Sequence, residues 1–126
     1  MATYTPEELL KDLDSNDRVV RYCAAGNPNA SPEVLLKAME DDYKEVRWKA
    51  ADNPNATPEV LMKAMKDKEY SVRYAAAGNP NATPEILLKA IGDKNSDVRS
   101  AAQESLQNDP ILQLQVSALK AQKAAS

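Results

Sequence analysis

The sequence predicts an all-α protein made of tandem helix pairs, and three observations carry that prediction. Pro6, Pro32, Pro58, Pro84 and Pro110 recur every 26 residues. Each follows a Ser, Thr or Asp (Thr5, Ser31, Thr57, Thr83 and Asp109), which pairs a capping side chain with Pro at the first helical position. Val-Arg and Asn-Pro-Asn then return in phase with the prolines. Self-similarity at a fixed period of this length marks stacked supersecondary units. The register gives four units, 5–30, 31–56, 57–82 and 83–108, followed by a capping half-unit at 109–126, all within a single domain 1–126.

Each unit reads as two helices. In the first, Glu7, Glu33, Glu59 and Glu85 follow the Pro, where an acid suits the positive end of the helix dipole. Apolar residues then recur at helical spacing, as in Leu61, Met62 and Met65 or Leu87, Leu88 and Ile91. The second helix is expected to start from caps at Ser15, Asp41, Asp67 and Asp93 and to carry Val20, Val46, Val72 and Val98, with Ala pairs four residues on. Its stop is written Gly26-Asn27-Pro28-Asn29, Asp52-Asn53-Pro54-Asn55 and Gly78-Asn79-Pro80-Asn81, where Gly and Asn tolerate a left-handed residue and Pro prevents continuation. The fourth unit has Glu104-Ser105-Leu106-Gln107 instead, so that helix is expected to run on to about Asn108. In the last half-unit Leu112, Val116 and Leu119 share one helix face, as a capping helix requires.

Composition excludes several chemistries. The 126 residues include 16 basic and 19 acidic side chains for a net charge of −3, which argues against a chain-wide drive toward nucleic acid or anionic lipid. There is no His and one Cys, so no imidazole base, no internal disulfide and no His- or Cys-built metal cage is expected. The start shows no basic region followed by an apolar run, and no stretch reaches the roughly 18 apolar residues of a membrane span. A soluble, cytoplasmic protein without a membrane partner is the resulting expectation.

The segment VRYAAAGNPNATPEILLKAIGDKNSDVRSAA resembles the leucine-rich repeat variant family, in which a Val-Arg helix joins an Asn-Pro-Asn turn, then Pro-Glu-Leu-Leu and Asp…Val-Arg. The resemblance covers roughly residues 5–104. It implies a right-handed superhelix, an α-solenoid, in which one helix of each pair can be 3₁₀. The spacing of Asp41 to Arg47, Asp67 to Arg73 and Asp93 to Arg99 is also similar to HEAT-like repeats, whose Asp and Arg form a ladder between units. Ser15 departs from that pattern in the first unit. A member of the variant family holds an iron–sulfur cluster on an added Cys-rich segment; this sequence shows no such segment, so no cofactor is carried over.

Arg21, Arg47, Arg73 and Arg99 occupy one repeat position immediately after the core Val, and a structural ladder with Asp41, Asp67 and Asp93 accounts for them better than anion binding. Asn27, Asn53 and Asn79 read as a second structural file at the turns. Glu7–Lys11, Glu33–Lys37, Glu59–Lys63 and Glu85–Lys89 stand at i,i+4 and predict a salt-bridged, solvated face. Tyr22, Trp48 and Tyr74 also share one position, about 200° around the helix from the core Val and so expected to point away from it. Arg18, Lys44 and Tyr70 precede them by one turn. That set of six is the candidate partner-binding surface; the alternative is that the rings pack on the next unit. Cys23 has no His or second Cys beside it, and no catalytic residue is nominated.

The function these features point to is a non-enzymatic scaffold that presents a helical repeat face to a protein or peptide, with weak end-to-end self-association through the less polar N-terminal helix. Two other readings stand beside it: a HEAT-like enzyme or enzyme subunit acting on nucleic acid or a chromophore protein, and a purely structural or engineered repeat without a natural ligand.

Overall fold

The Pro-led segments form helices because each carries its own start signal. The computed structural model describes residues 4–126; residues 1–3 of the predicted 1–126 domain lie outside the described residues. The first helices of the pairs are α1 (Pro6–Asp12), α3 (Pro32–Ala38), α5 (Pro58–Met65) and α7 (Pro84–Ile91). Thr5, Ser31, Thr57 and Thr83 each accept the backbone N–H three residues on, and Thr5 adds a reciprocal capping box with Glu8. The second helices are α2 (Arg18–Gly26), α4 (Lys44–Asp52), α6 (Tyr70–Gly78) and α8 (Ser96–Gln107), followed by α9 (Pro110–Ala125) with Asp109 as its cap. All of these are α-helical, so among the described residues no pair uses the 3₁₀ variant that the resemblance allows.

The starts of the second helices differ from the sequence expectation. Their capping positions are Asp17, Tyr43, Glu69 and Asn95, two residues later than Ser15, Asp41, Asp67 and Asp93. The earlier residues instead accept the N–H of the capping residue itself, closing a tight turn ahead of the helix. For the Asp residues this leaves the second carboxylate oxygen free for a guanidinium. The helix stops also work differently. No described residue has a positive φ. Asn27, Asn53 and Asn79 end their helices in extended conformation, with ψ of 134, 131 and 132°. The following Pro disfavours the helical region for the residue before it, and that alone ends the helix. Where Asn-Pro is missing, α8 continues to Gln107, three residues longer than its counterparts.

Every described helix packs only on helices one or two places away along the chain. The row α2–α4–α6–α8 is packed far more extensively than the row α1–α3–α5–α7. Its Ala pairs explain this: Ala25, Ala50, Ala51, Ala76, Ala77 and Ala102 are fully buried, and small side chains let helix backbones approach. Val34, Leu35, Val60, Leu61, Ile86 and Leu87 fill the space between the rows, together with Val46, Val72 and Val98. Val20, their counterpart in the first described pair, is half-buried. At the other end α9 turns Val116 inward, with Leu112 and Leu119 half-buried, while Ile111 and Leu114 stay in solvent.

Two polar files tie successive pairs together. Asn53 Nδ2 donates to the carbonyls of Ala25 and Asn27 at 2.9 and 3.0 Å; Asn79 Nδ2 repeats this on Ala51 and Asn53 at 2.8 and 3.0 Å. The carbonyls of Ala25 and Ala51 lie in the last turn of a helix, where burial without a partner would be penalised, while those of Asn27 and Asn53 also accept the N–H of Ala30 and Ala56. In the fourth pair Ser105 Oγ takes over the bond to Ala77 at 3.2 Å. At the opposite end of the second helices, Arg21, Arg47 and Arg73 donate Nε to Asp41, Asp67 and Asp93 of the next pair at 2.7, 2.7 and 2.8 Å. Each also donates Nη1 to a carbonyl of its own pair, that of Ser15, Asp41 or Asp67. The Asp and Arg six positions apart thus meet through the backbone carbonyl, and the carboxylate belongs to the following pair. Among the described residues Arg99 has only the Asp93 carbonyl, at 2.8 Å.

The lysine file departs from the i,i+4 expectation. Among the described residues Lys37 reaches Asp14 at 2.8 Å and Lys63 reaches Glu40, both acids of the preceding pair, while Glu85 meets Lys123 of α9 at 3.5 Å. The turn between helices brings an acid of the preceding pair within reach of the long Lys stem. No described helix is long and apolar enough to cross a membrane.

Burial raises the pKa of Asp93, but the Arg73 hydrogen bond, the Asn95 amide and the charges of Arg73 and Lys94 outweigh it, holding the carboxyl below its ordinary value. A depressed folded pKa contributes stability that is present above the unfolded value of about 4 and lost as pH falls through the folded value. The melting temperature should therefore drop below about pH 4. Asp93→Asn should melt lower at neutral pH yet show a shallower acid dependence. Arg73→Ala leaves a carboxylate unpaired at 8% side-chain exposure and should lower the unfolding free energy by about 3 kcal/mol in urea. Arg99→Ala, lacking a carboxylate partner, should lose only about 1 kcal/mol in the same assay.

Candidate ligand-binding face

The second helices carry Tyr22, Trp48 and Tyr74 at one repeat position, and the close row they form sets the rings side by side. Their burial is uneven. Tyr22 and Trp48 are half-buried and pack against the core, which corrects the expectation that this position points cleanly away from it. Tyr74 is 48% exposed, because its unit neighbour at the same position is the small Ser100 rather than another ring. A helix in a tight row has neighbours on both flanks, so a residue on the side away from the core Val meets the adjacent helix before it meets water.

Two clefts open along this face. One, of about 340 Å³, is lined by Arg18, Val19, Tyr22, Tyr43, Glu45 and Val46. Arg18 and Arg21 place their guanidinium carbons 5.1 and 5.4 Å from the Tyr43 ring centroid, a cation–π arrangement that orients the ring. The other, of about 370 Å³, lies between α4, α6 and α8; Trp48 and Tyr74 line it with Asp52, Glu104 and a floor that includes Ala75 and Ala101. The structure thus brings Arg18 together with Tyr22, and Trp48 together with Tyr74, in separate clefts. Tyr70, 48% exposed, lines neither, and Lys44 sits 4.0 Å from Glu69 outside both.

Several contributors to this face escape sequence reasoning. Tyr43 lies in the turn before α4, where no repeat counterpart is aromatic. Lys49 sits beside the rings: its Nζ is 5.4 Å from the Tyr22 centroid and 5.6 Å from the Trp48 centroid. Its stem passes over Gly26, where an added methyl would stand 2.5 Å from Cε. Asp52 and Glu104 read from sequence only as parts of the helix stops. The signal that could have found Lys49 is its place directly after Trp48, in a file that otherwise reads Cys23, Ala75 and Ala101. Cys23 is exposed at the open N-terminal side, near Val19 and Val20. Among the described residues no group of three or more His, Cys, Asp or Glu side chains could hold a metal ion.

Compared with known proteins, the chain matches no family model and no curated protein.

The Lys49 ammonium lies over both half-buried rings and shields them from solvent on that side. Lys49→Ala should raise acrylamide quenching of Trp48, the single Trp, while reducing stability by no more than about 1 kcal/mol.

Proposed function

We propose that the chain is a short right-handed α-solenoid related to the leucine-rich repeat variant family, and that it serves as a non-enzymatic, cytoplasmic scaffold for a protein or peptide partner. The observation that carries the reading is the face of the second helices. There, rings at one repeat position border two clefts wide enough for side chains. Contacts limited to near neighbours in sequence support the solenoid, since each helix pair in such an array touches only the adjacent ones. The denser packing of α2, α4, α6 and α8 makes theirs the inner row of any curve, and an inner row presents successive side chains to one extended ligand. Half-exposed Tyr and Trp are the side chains that most often anchor such ligands, because they offer large contact area with little conformational entropy to lose. The α1 helix and its C-cap turn Leu9 and Leu13 into the core and leave Leu10 half-buried, so weak end-to-end self-association would fall instead to Val19, 61% exposed, and the half-buried Val20 of α2.

Panning a displayed random-peptide library against the wild type and Tyr74→Ala tests the reading. Peptides selected on the wild type should bind Tyr74→Ala at least about tenfold more weakly, the scale of an interface anchor. Its unfolding free energy should change by less than about 0.5 kcal/mol, as for a surface residue. Undiminished binding to the variant, or a stability loss of core size, would remove the face from consideration.

A further inference from the structure

The spaces between neighbouring rings are related by the repeat, and one of them is already filled. Between Tyr22 and Trp48 lies the ammonium of Lys49, 5.4 and 5.6 Å from the two ring centroids, with its stem packed over Gly26. One unit on, the gap between Trp48 and Tyr74 has Ala75 in the place of Lys49; a further unit on, Ala101 stands there. Both Ala residues line the 370 Å³ cleft; Asp52 stands in the Trp48–Tyr74 gap where Gly26 stands in the first, and Gly78, with nothing within 4 Å of where a methyl would project, holds that place beneath Ala101. The cleft therefore repeats the ring pair of the Tyr22–Trp48 cage without its cation and with a carboxylate, Asp52, in the place of Gly26. Its charge is complementary to one: Asp52 and Glu104 border it, no Lys or Arg does, and among the described residues neither acid forms an ion pair.

The geometry points to a binding site for an organic cation, the guanidinium or ammonium of a basic residue in a bound peptide, seated between Trp48 and Tyr74 and faced by Asp52 and Glu104. This rests on the reading of the second-helix face as a peptide-binding surface and names the chemistry it selects. An aromatic face attracts a cation through its quadrupole, more so where water is partly excluded, and two carboxylates on the rim add attraction for the same charge. A carboxylate-bearing or phosphorylated side chain is repelled by that rim.

Emission of Trp48 reads the site directly. Titration with N-acetyl-arginine amide or N-acetyl-lysine amide should give a saturable change in the millimolar range, whereas the citrulline analogue, an uncharged isostere, should give none. Asp52→Asn with Glu104→Gln, changes confined to exposed side chains, should weaken the response roughly tenfold. Ala75→Lys should abolish it by supplying the cation from within; Ala101→Lys serves the same purpose should the first variant fold poorly. An equal response to citrulline, or full binding by these variants, overturns the proposal. The peptide library separates this idea from its premise. Tyr74-dependent peptides rich in Arg or Lys support both; Tyr74-dependent peptides without basic residues overturn the cation site and leave the face standing. If the amides bind but no Tyr74-dependent peptide is recovered, the site takes free small cations and the peptide assignment falls.

Discussion

The bond from each Asn side chain to the preceding turn is the constraint on which the other features depend. A Pro after the helix stop prevents the chain from continuing, and the last carbonyls of α2 and α4 are then left without intrahelical partners inside a packed row. The carboxamides of Asn53 and Asn79, 2 and 4% exposed, satisfy them from one unit further on, while their own oxygens accept the N–H of Asn55 and Asn81. The bond is short-ranged and directional, so a slip of one residue between units would leave both groups buried and unpaired. Arg47 and Arg73 fix the opposite ends of the second helices in the same way, through two carbonyl-and-carboxylate bridges. With both ends bonded, a slide or rotation of a second helix within its row would break these polar bonds.

That rigidity gives the ring file its meaning. Tyr22, Trp48 and Tyr74 stand at a repeat distance fixed by buried polar bonds rather than by their own contacts, so the gaps between them are properties of the framework. What fills a gap is then a matter of one residue, Lys49 in the first and Ala75 in the second. The Asn and Arg bonds lie at the helix ends, away from this position, which is exposed at Cys23, half-buried at Lys49 and buried at Ala75 and Ala101. Among the described residues the first and last pairs are less fully joined: Val20 is half-buried, Arg99 meets a carbonyl but no carboxylate, and α9 keeps Ile111 and Leu114 in water.

The departures from the sequence expectations share a cause. Ser15, Asp41, Asp67 and Asp93 have the signature of helix caps because Asp and Ser before an apolar run usually are, yet Tyr43 and Glu69 occupy the capping positions without a side-chain bond. The Asp carboxylates serve the turn and the guanidinium together, a demand that arises only when the next unit is in place. Lys37 and Lys63 have the spacing to pair with Glu33 and Glu59 on the same helix, but the preceding unit offers Asp14 and Glu40. Both errors treat a residue as if its helix were alone. The half-burial of Tyr22 and Trp48 is the same error on the exposed flank.

Local backbone chemistry was enough to write the helix pairs, their 26-residue register, the Pro-led starts, the Asn-Pro stops and the longer α8 into the chain: a capping oxygen, a missing N–H, a restricted residue before Pro. The periodic Val and Ala positions likewise announced which side of each helix would be buried. Which acid each Arg meets, where Lys49 lies, and that Asp52 and Glu104 border one cleft with Trp48 and Tyr74 emerge only once the units are packed. These pairings join residues about one to two units apart in sequence, and their distances follow from how closely one helix pair seats on the next. That spacing is set by the packing of small side chains, a quantity that no single unit contains.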